Sequence, residues 1–454
     1  MTLVGSKLHN YLILCRGLLT SAIVLTWLIG SQVAQAAAGD LDPTFGTGGT
    51  VMTDINRSTD LAQAVALQAD GKLVVVGQTY KNNDYSTEDF AVARYNTDGT
   101  LDTTFGNGGR VRTDFPGLAA VASSVVIQAD GKIVVAGGAF PLFTFLGDFK
   151  VVRYNTNGSL DRSFGTGGIV TTTFPAGSYA FDVALQTDGK IVAVGTVFTA
   201  FDPGEQSNTD FALARYNTDG TPDTTFGVGG QVSTDFDGLE DDAFSVLIQP
   251  DGKIVAVGSA NDPASFYDFA AVRYLSNGTV DTTFGVAGRV QTDFGDQNFD
   301  RARSAALQPD GRIVAAGFAI SQNGGVQNFA VARYTSNGIL DTSFSGDGKT
   351  QIDFGNCCQS ATKVLLQSDG KIIAVGGSNG ESSEDDFLIA RLTRRGALDA
   401  TFGIAGEVRT SFGDLNGGAN GAALQSDGKL VAVGFQATFS NQWANLALAR
   451  YLAQ

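Results

Sequence analysis

Four carboxylates fall within six residues at Asp237, Glu240, Asp241 and Asp242, the densest group of hard oxygen ligands in the chain. Acids this close repel one another until a cation neutralises them. A weak Ca2+ site of the extracellular kind is the chemistry this spacing offers, and a solvated acidic loop is the alternative reading. Nucleophilic and imidazole chemistry has no comparable source. The one histidine, His9, sits in an N-terminal segment that reads as removable. The remaining chain then has no Ser-His-Asp or Cys-His site and no imidazole ligand for zinc. Cys357 and Cys358 are adjacent, and read either as a strained vicinal disulfide or as two small loop residues. Carboxylate catalysis survives, because two acids suffice to hydrolyse a glycoside, but no spacing singles out a pair. An active site should break the symmetry of a repeated scaffold. The departures in otherwise Ser-, Ala- or Gly-bearing positions are Asp182, Arg303 and Lys363, which read equally well as solvated strand ends.

The elements that must carry these residues are repeats. The turn Asp70-Gly71-Lys72 returns six times, as far as Asp427-Gly428-Lys429, at spacings of 58 to 63 residues. One supersecondary unit is therefore stacked on its own copies. In the second unit, β-branched runs flank Asp130-Gly131, whose two central positions are expected at positive φ. A third strand runs over Asp148–Tyr154, and after an Asn-x-x-Gly turn a fourth begins at Ile169. Four antiparallel strands in a meander, rich in Val and Ala on both faces, describe a small sheet sandwiched between neighbours. The expected fold is all-β: a seven-bladed β-propeller of four-stranded blades, which removes free sheet edges by radial repetition. The Leu-Asp-x-Thr-Phe-Gly element comes first at Leu41–Gly46, ahead of any Asp-Gly-Lys hairpin, and none follows Tyr451. The strand at Gly49–Asp54 is thus expected to complete the last blade and close the ring.

The phrases Ala-Leu-Gln-x-Asp-Gly-Lys-Ile-Val-x-x-Gly, Asp-Phe-x-x-x-Arg-Tyr and Leu-Asp-x-x-Phe-Gly resemble the delta-60 repeat of bacterial secreted and surface proteins. That resemblance covers residues 39–454 and implies a propeller-type fold with no settled activity. The chain departs from the pattern at Phe344-Ser345, Arg391-Leu392 and Asn445-Leu446. Three residues recur in every unit: a Gln (Gln68 to Gln425), an Arg (Arg94 to Arg450) and an Asp (Asp42 to Asp399). Sevenfold repetition marks them as scaffold. The Gln is expected to satisfy buried backbone groups near its turn, and the Arg and Asp to form one ion pair per blade. The turns such as Asn96-Thr97-Asp98-Gly99 look superficially like calcium loops, yet Asx turns explain them.

An up-and-down blade places its connections on two alternating faces. One holds the repeated turns; the other holds loops of varied length, where function is expected. Aromatic residues expected to be exposed there are Tyr80, Tyr85, Phe143, Phe145, Phe198, Phe201, Tyr267 and Trp443. Binding of a protein or glycan on this face is the first functional expectation; a carboxylate-dependent carbohydrate-active enzyme is the second. The formal charge of −16 disfavours nucleic acid and anionic lipid. Residues 1–38 read as a secretory signal: Lys7 and Arg16 precede an uncharged run, and small residues at Ala34 and Ala36 suit cleavage after Ala36 or Ala38. A retained anchor is the alternative, since Gly17–Gly39 carries no charge and nearly spans a bilayer. The expected product is a secreted, extracellular or periplasmic monomer, free of the membrane after cleavage.

Overall fold

The structure is a computed structural model that describes residues 36–55, 58–81, 84–141, 146–200, 208–236, 239–262, 266–295, 299–320, 325–355, 358–378, 387–412, 415–438 and 444–452. Almost all of the expected signal therefore lies outside the described residues. No helix among the described residues is long and apolar enough to cross a membrane.

Residues 37–454 form one compact unit of seven four-stranded antiparallel sheets. The third blade shows the pattern: β10 (Ser178–Leu185), β11 (Ile191–Ala200), β12 (Asn208–Tyr216) and β13 (Gln231–Thr234) pair in that order. The first strands of the blades are β2 (Asp60–Leu67), β6 (Leu118–Ile127), β10, β14 (Asp241–Ile248), β18 (Asp300–Leu307), β22 (Gln359–Leu366) and β26 (Leu415–Leu424). Each packs against the first strands of both neighbouring blades, and β26 packs against β2, so these seven strands line a closed central channel. Seven apolar clusters, one at each blade junction, hold the ring together.

The ring closes as the motif order requires. The strand β1 (Thr50–Thr53) pairs with β28 (Ala444–Tyr451) in the register Thr50↔Ala449 to Thr53↔Leu446, so the last blade takes strands from both ends of the repeat region. In the Asp-Gly-Lys hairpins the geometry differs from the expectation. Only the glycine lies in the left-handed region, Gly71 at φ 82°, while Gly71 N–H donates to Gln68 O and Gln68 N–H to Lys72 O. That is a three-residue loop, a tight turn followed by one left-handed glycine, in which the Asp carboxylate caps the Lys72 amide.

The repeated charges are structural. Arg94 Nε donates to Asp102 Oδ2 at 2.8 Å, its guanidinium covers Phe105 at 4.4 Å, and Lys72 completes the cluster at 3.0 Å. The same Arg–Asp pair recurs in every blade, the last as Arg450–Asp42. The Arg also reaches the turn of the next blade, as Arg153 does to Thr218 O, so each clasp fixes both a blade and its junction. The Gln side chains do not serve the turn backbone. Among the described residues, Gln68 and Gln186 reach only the neighbouring Arg, at 3.5 Å, and the carbonyl oxygens of five others have no partner. The departure at Leu392 also has its reason. In the six blades that keep Tyr, its hydroxyl bonds the Thr ending the outer strand of the preceding blade; where Leu replaces Tyr, that outer strand ends in Ile352, and the two share an apolar cluster.

Candidate functional site

A bulge in every innermost strand builds the channel wall. In β10 the pairing steps from Ala180↔Gly195 to Asp182↔Val194, which leaves Phe181 unpaired. The same step in the other six blades leaves out Gln63, Ser123, Phe244, Arg303, Thr362 and Asn420. A bulge of this kind re-aims one side chain and bends the strand. The glycine ending the repeated Lys-Ile-Val-x-x-Gly phrase makes room for it. A Cβ at Gly195 would lie 1.9 Å from Tyr179 O, and the equivalent glycines of the other blades are equally close to their inner strands, at 1.8 to 2.0 Å.

These bulge residues and their neighbours enclose a cavity of about 440 Å³ to which all seven blades contribute. Most of its lining comes from the middle of the inner strands, around their bulges. The chemistry is uneven around the ring. Tyr179, Phe181 and Phe244 form a run of rings with successive centroids 4.8 Å apart, and the Arg303 guanidinium stacks on Phe244 at 4.4 Å. Gln63, Ser123, Thr362 and Asn420 make the remainder of the bulge ring neutral and polar. Burial, reinforced by the nearby charge of Arg301, lowers the pKa of Arg303 to about 10 against the opposing pull of Asp242. It remains a cation at neutral pH.

Two of the three sequence-selected departures carry positive charge into this cavity, and the third is tied up. Asp182 Oδ1 accepts from Ser124 Oγ at 2.7 Å and Val183 N at 2.9 Å; Oδ2 accepts from Ser245 Oγ at 3.2 Å and Val246 N at 2.9 Å. Its carboxylate is thus a link in a belt of contacts between blades. Ala305 N donates to Ser245 Oγ, Val364 N to Ser304 Oγ, Thr362 Oγ1 to Ala419 O and Asn420 Nδ2 to Ala62 O. Arg303 and Lys363 are the cations among the lining residues, and neither forms an ion pair with a described carboxylate.

On the variable-loop face, Arg301 covers Tyr267 at 3.7 Å and lies 4.0 Å from Glu240. Phe299 stacks on both Tyr267 and Phe266, and Phe266 and Phe299 are 53% and 42% exposed. Of the aromatic residues expected to be exposed, Tyr267 is buried beneath this patch and Tyr80 is buried with its hydroxyl donating to Glu88 at 2.5 Å. Phe198 is half-buried. Phe143, Phe145, Phe201 and Trp443, with the side chain of Tyr85, lie outside the described residues. Tyr179, Phe181, Phe244, Phe266 and Phe299 were not singled out by sequence. A signal for Phe181 and Phe244 exists, because the bulge residue always stands five positions before the repeated Gln.

The acidic run does not act as one loop. Asp237 lies outside the described residues. Asp241 is the fully buried first residue of β14, accepting from Phe236 N at 2.7 Å and Asn261 N at 3.3 Å. Alternation along the strand turns Asp242 the other way, where it accepts from Thr209 Oγ1. Asp241 instead meets Asp210 and Asp235, with oxygens within 4.8 Å of one another, and Asp268, Asp293 and Asp300 form the same arrangement at the next junction. Burial, added to by the neighbouring carboxylates, raises Asp241 and Asp300 to about 7 and Asp210 to about 6. Three acidic oxygens at each junction are a partial ligand set for Ca2+. Cys358 is half-buried at φ 65°, and Cys357 lies outside the described residues.

Six segments, residues 68–105, 128–164, 186–226, 249–284, 308–344 and 367–402, match the family described as "domain of unknown function (DUF5122) beta-propeller". Fold and repeat match agree, and the chain is a β-propeller repeat protein. No curated protein matches it. Among solved structures, a protein of unknown function from Dyadobacter fermentans is 12% identical over 89% of this chain and 100% of its own, with a TM-score of 0.47. Virginiamycin B lyase from Staphylococcus aureus is 11% identical over 88% of this chain and 98% of its own, at 0.44. The polysaccharide lyase Uly1 is 11% identical over 92% and 98%, at 0.48. Likeness at this level carries no functional argument.

Proposed function

We propose that this chain is a secreted recognition module of the delta-60 type, whose ligand, a glycan, enters the central cavity from the variable-loop face. The observation that carries the reading is where the repeat symmetry fails. The scaffold clasps are copied from blade to blade, whereas the aromatic and cationic substitutions of the inner strands converge on one cavity. Its volume of about 440 Å³ lies within the range of small-ligand sites, and the exposed Phe266–Phe299 pair adds an aromatic surface on the variable-loop face. Binding is favoured over carboxylate catalysis because Asp182 is the only acid among the described lining residues and already accepts four hydrogen bonds. Two-acid glycoside hydrolysis needs a second carboxyl group about 5–10 Å away across the substrate.

The test is a glycan and peptide array probed with the protein and with Gly418→Phe. Gly418 lines the cavity, and a Cβ there meets only the Phe435 ring at 3.4 Å, so the larger side chain fills the space without backbone strain. Glycan signals that vanish in the variant while its melting temperature holds support the proposal. Signals that survive the filled cavity overturn it, and so does catalytic turnover of a bound glycan.

A further inference from the structure

Resting on the reading of the cavity as a glycan site, we infer that its ligand carries an anionic group, and that a uronic-acid-bearing saccharide is the class it takes. The cavity departs from the rest of the molecule in sign. The chain as a whole carries a formal −16, yet the described residues lining the cavity include two cations and a single carboxylate. That carboxylate, Asp182, has both oxygens engaged by donors of its own and adjacent blades. Arg303 lies over Phe244 at 4.4 Å, and Lys363 comes from the next blade, directly after the register break of β22. Neither charge is neutralised by an ion pair with a described residue. A largely buried guanidinium that feels Asp242 only at a distance and makes no direct ion pair is poorly solvated, and an incoming anion restores the lost interaction.

The remainder of the lining identifies the body that bears the anion. Tyr179, Phe181 and Phe244 give a continuous aromatic wall beside Arg303, which suits the apolar face of a pyranose ring. Opposite are short neutral donors and acceptors, Gln63, Thr362 and Asn420, which suit hydroxyl groups. A planar fork and a point charge beside a stacking wall match a carboxylate attached to a sugar ring. A peptide bearing a free C-terminal carboxylate shares the charge but offers no hydroxyl-rich ring to the neutral side.

The test is calorimetric titration of the protein with trigalacturonate, with the neutral galactose trisaccharide, and with a tripeptide carrying a free C-terminal carboxylate. Trigalacturonate is expected to bind at least about tenfold more tightly than either alternative. Arg303→Gln and Lys363→Met should each weaken it about tenfold or more with unchanged melting temperature, and added salt should weaken it further. Lys363 is only partly buried, so its variant reports even if Arg303→Gln destabilises the ring. Equal binding of the neutral trisaccharide, blocked by Gly418→Phe, overturns the anionic assignment and leaves the glycan reading intact. Tighter binding of the tripeptide overturns both, as does a complete absence of saccharide binding at millimolar concentration.

Discussion

Cutting away residues 39–55 should unfold the ring, because this segment supplies the only covalently separate strand of the last blade. It removes the pairing of Thr50–Thr53 with Leu446–Ala449. Four flanking backbone bonds go with it: Gly39 N to Leu452 O, Asp42 N to Arg450 O, Arg450 N to Gly49 O and Leu452 N to Asp40 O. Each is worth about 1 kcal/mol net. The fully buried Phe45, under the Arg450 guanidinium at 4.5 Å, adds about 3–5 kcal/mol by the measure of large-to-small core changes. Loss of Asp42 leaves Arg450, paired to it at 2.9 Å and 5% exposed at the side chain, buried without its carboxylate, a further cost of about 3 kcal/mol. The total is comparable with the whole stability of a typical domain, about 5–15 kcal/mol. The truncated protein should be insoluble or lack a cooperative thermal transition. Point variants graduate the effect: Phe45→Ala should lose about as much as Phe105→Ala, its counterpart inside the continuous first blade, about 3–5 kcal/mol by denaturant titration. A truncation that melts like the parent, or Phe45→Ala that is neutral while Phe105→Ala is not, refutes closure by the N-terminal strand.

Gly195→Ala should disrupt the bulge that presents Phe181, since its Cβ would lie 1.9 Å from Tyr179 O; a loss above about 2 kcal/mol is expected by denaturant titration, and a neutral result would show the bulge to be adaptable. Ser345, at φ 52° where the other repeats use Gly, is strained in the left-handed region, so Ser345→Gly should raise stability by about 1 kcal/mol, measured the same way; a loss would mean that its hydroxyl bond to Gly396 O matters more. Asp241 and Asp300 are raised to about 7, so their stabilising protonated forms are complete below about pH 4, the unfolded value, and lost as pH rises through 7. The melting temperature should therefore fall between about pH 4 and 7 and level off above, on the order of a few kcal/mol of stability, and Asp241→Asn with Asp300→Asn should flatten that limb; an unchanged slope contradicts the assignment. Millimolar Ca2+ at pH 8 should restore the lost melting temperature through the same two triads, and calorimetry showing no calcium binding, or binding unaffected by the double variant, counts against them.

Much of the architecture is legible in the repeats. Six Asp-Gly-Lys hairpins and one Asp-Gly-Arg hairpin set the blade count, the early Leu41–Gly46 element set the closure, and equal numbers of recurrent Arg and Asp announced one ion pair per blade. These features are local or bind one unit to the next, and repetition states them seven times over. The site is different in kind. Phe181, Phe244 and Arg303 stand in three separate blades and meet only because the ring brings their inner strands around a common axis. The bulge, moreover, breaks the alternation from which side-chain direction is read, so their aim into the channel follows from a backbone irregularity. The same limit explains the rest. Adjacent Asp241 and Asp242 face opposite ways, and Asp241 finds its companions on neighbouring strands and not along its own loop. Tyr80 and Tyr267, polar-tipped residues near loop ends, are buried by partners that composition could not reveal. Sequence determined the ring, since each unit needs its neighbour to bury its faces. Only the tertiary structure decided which symmetry-breaking side chains share a cavity, because that depends on seven strands converging at once.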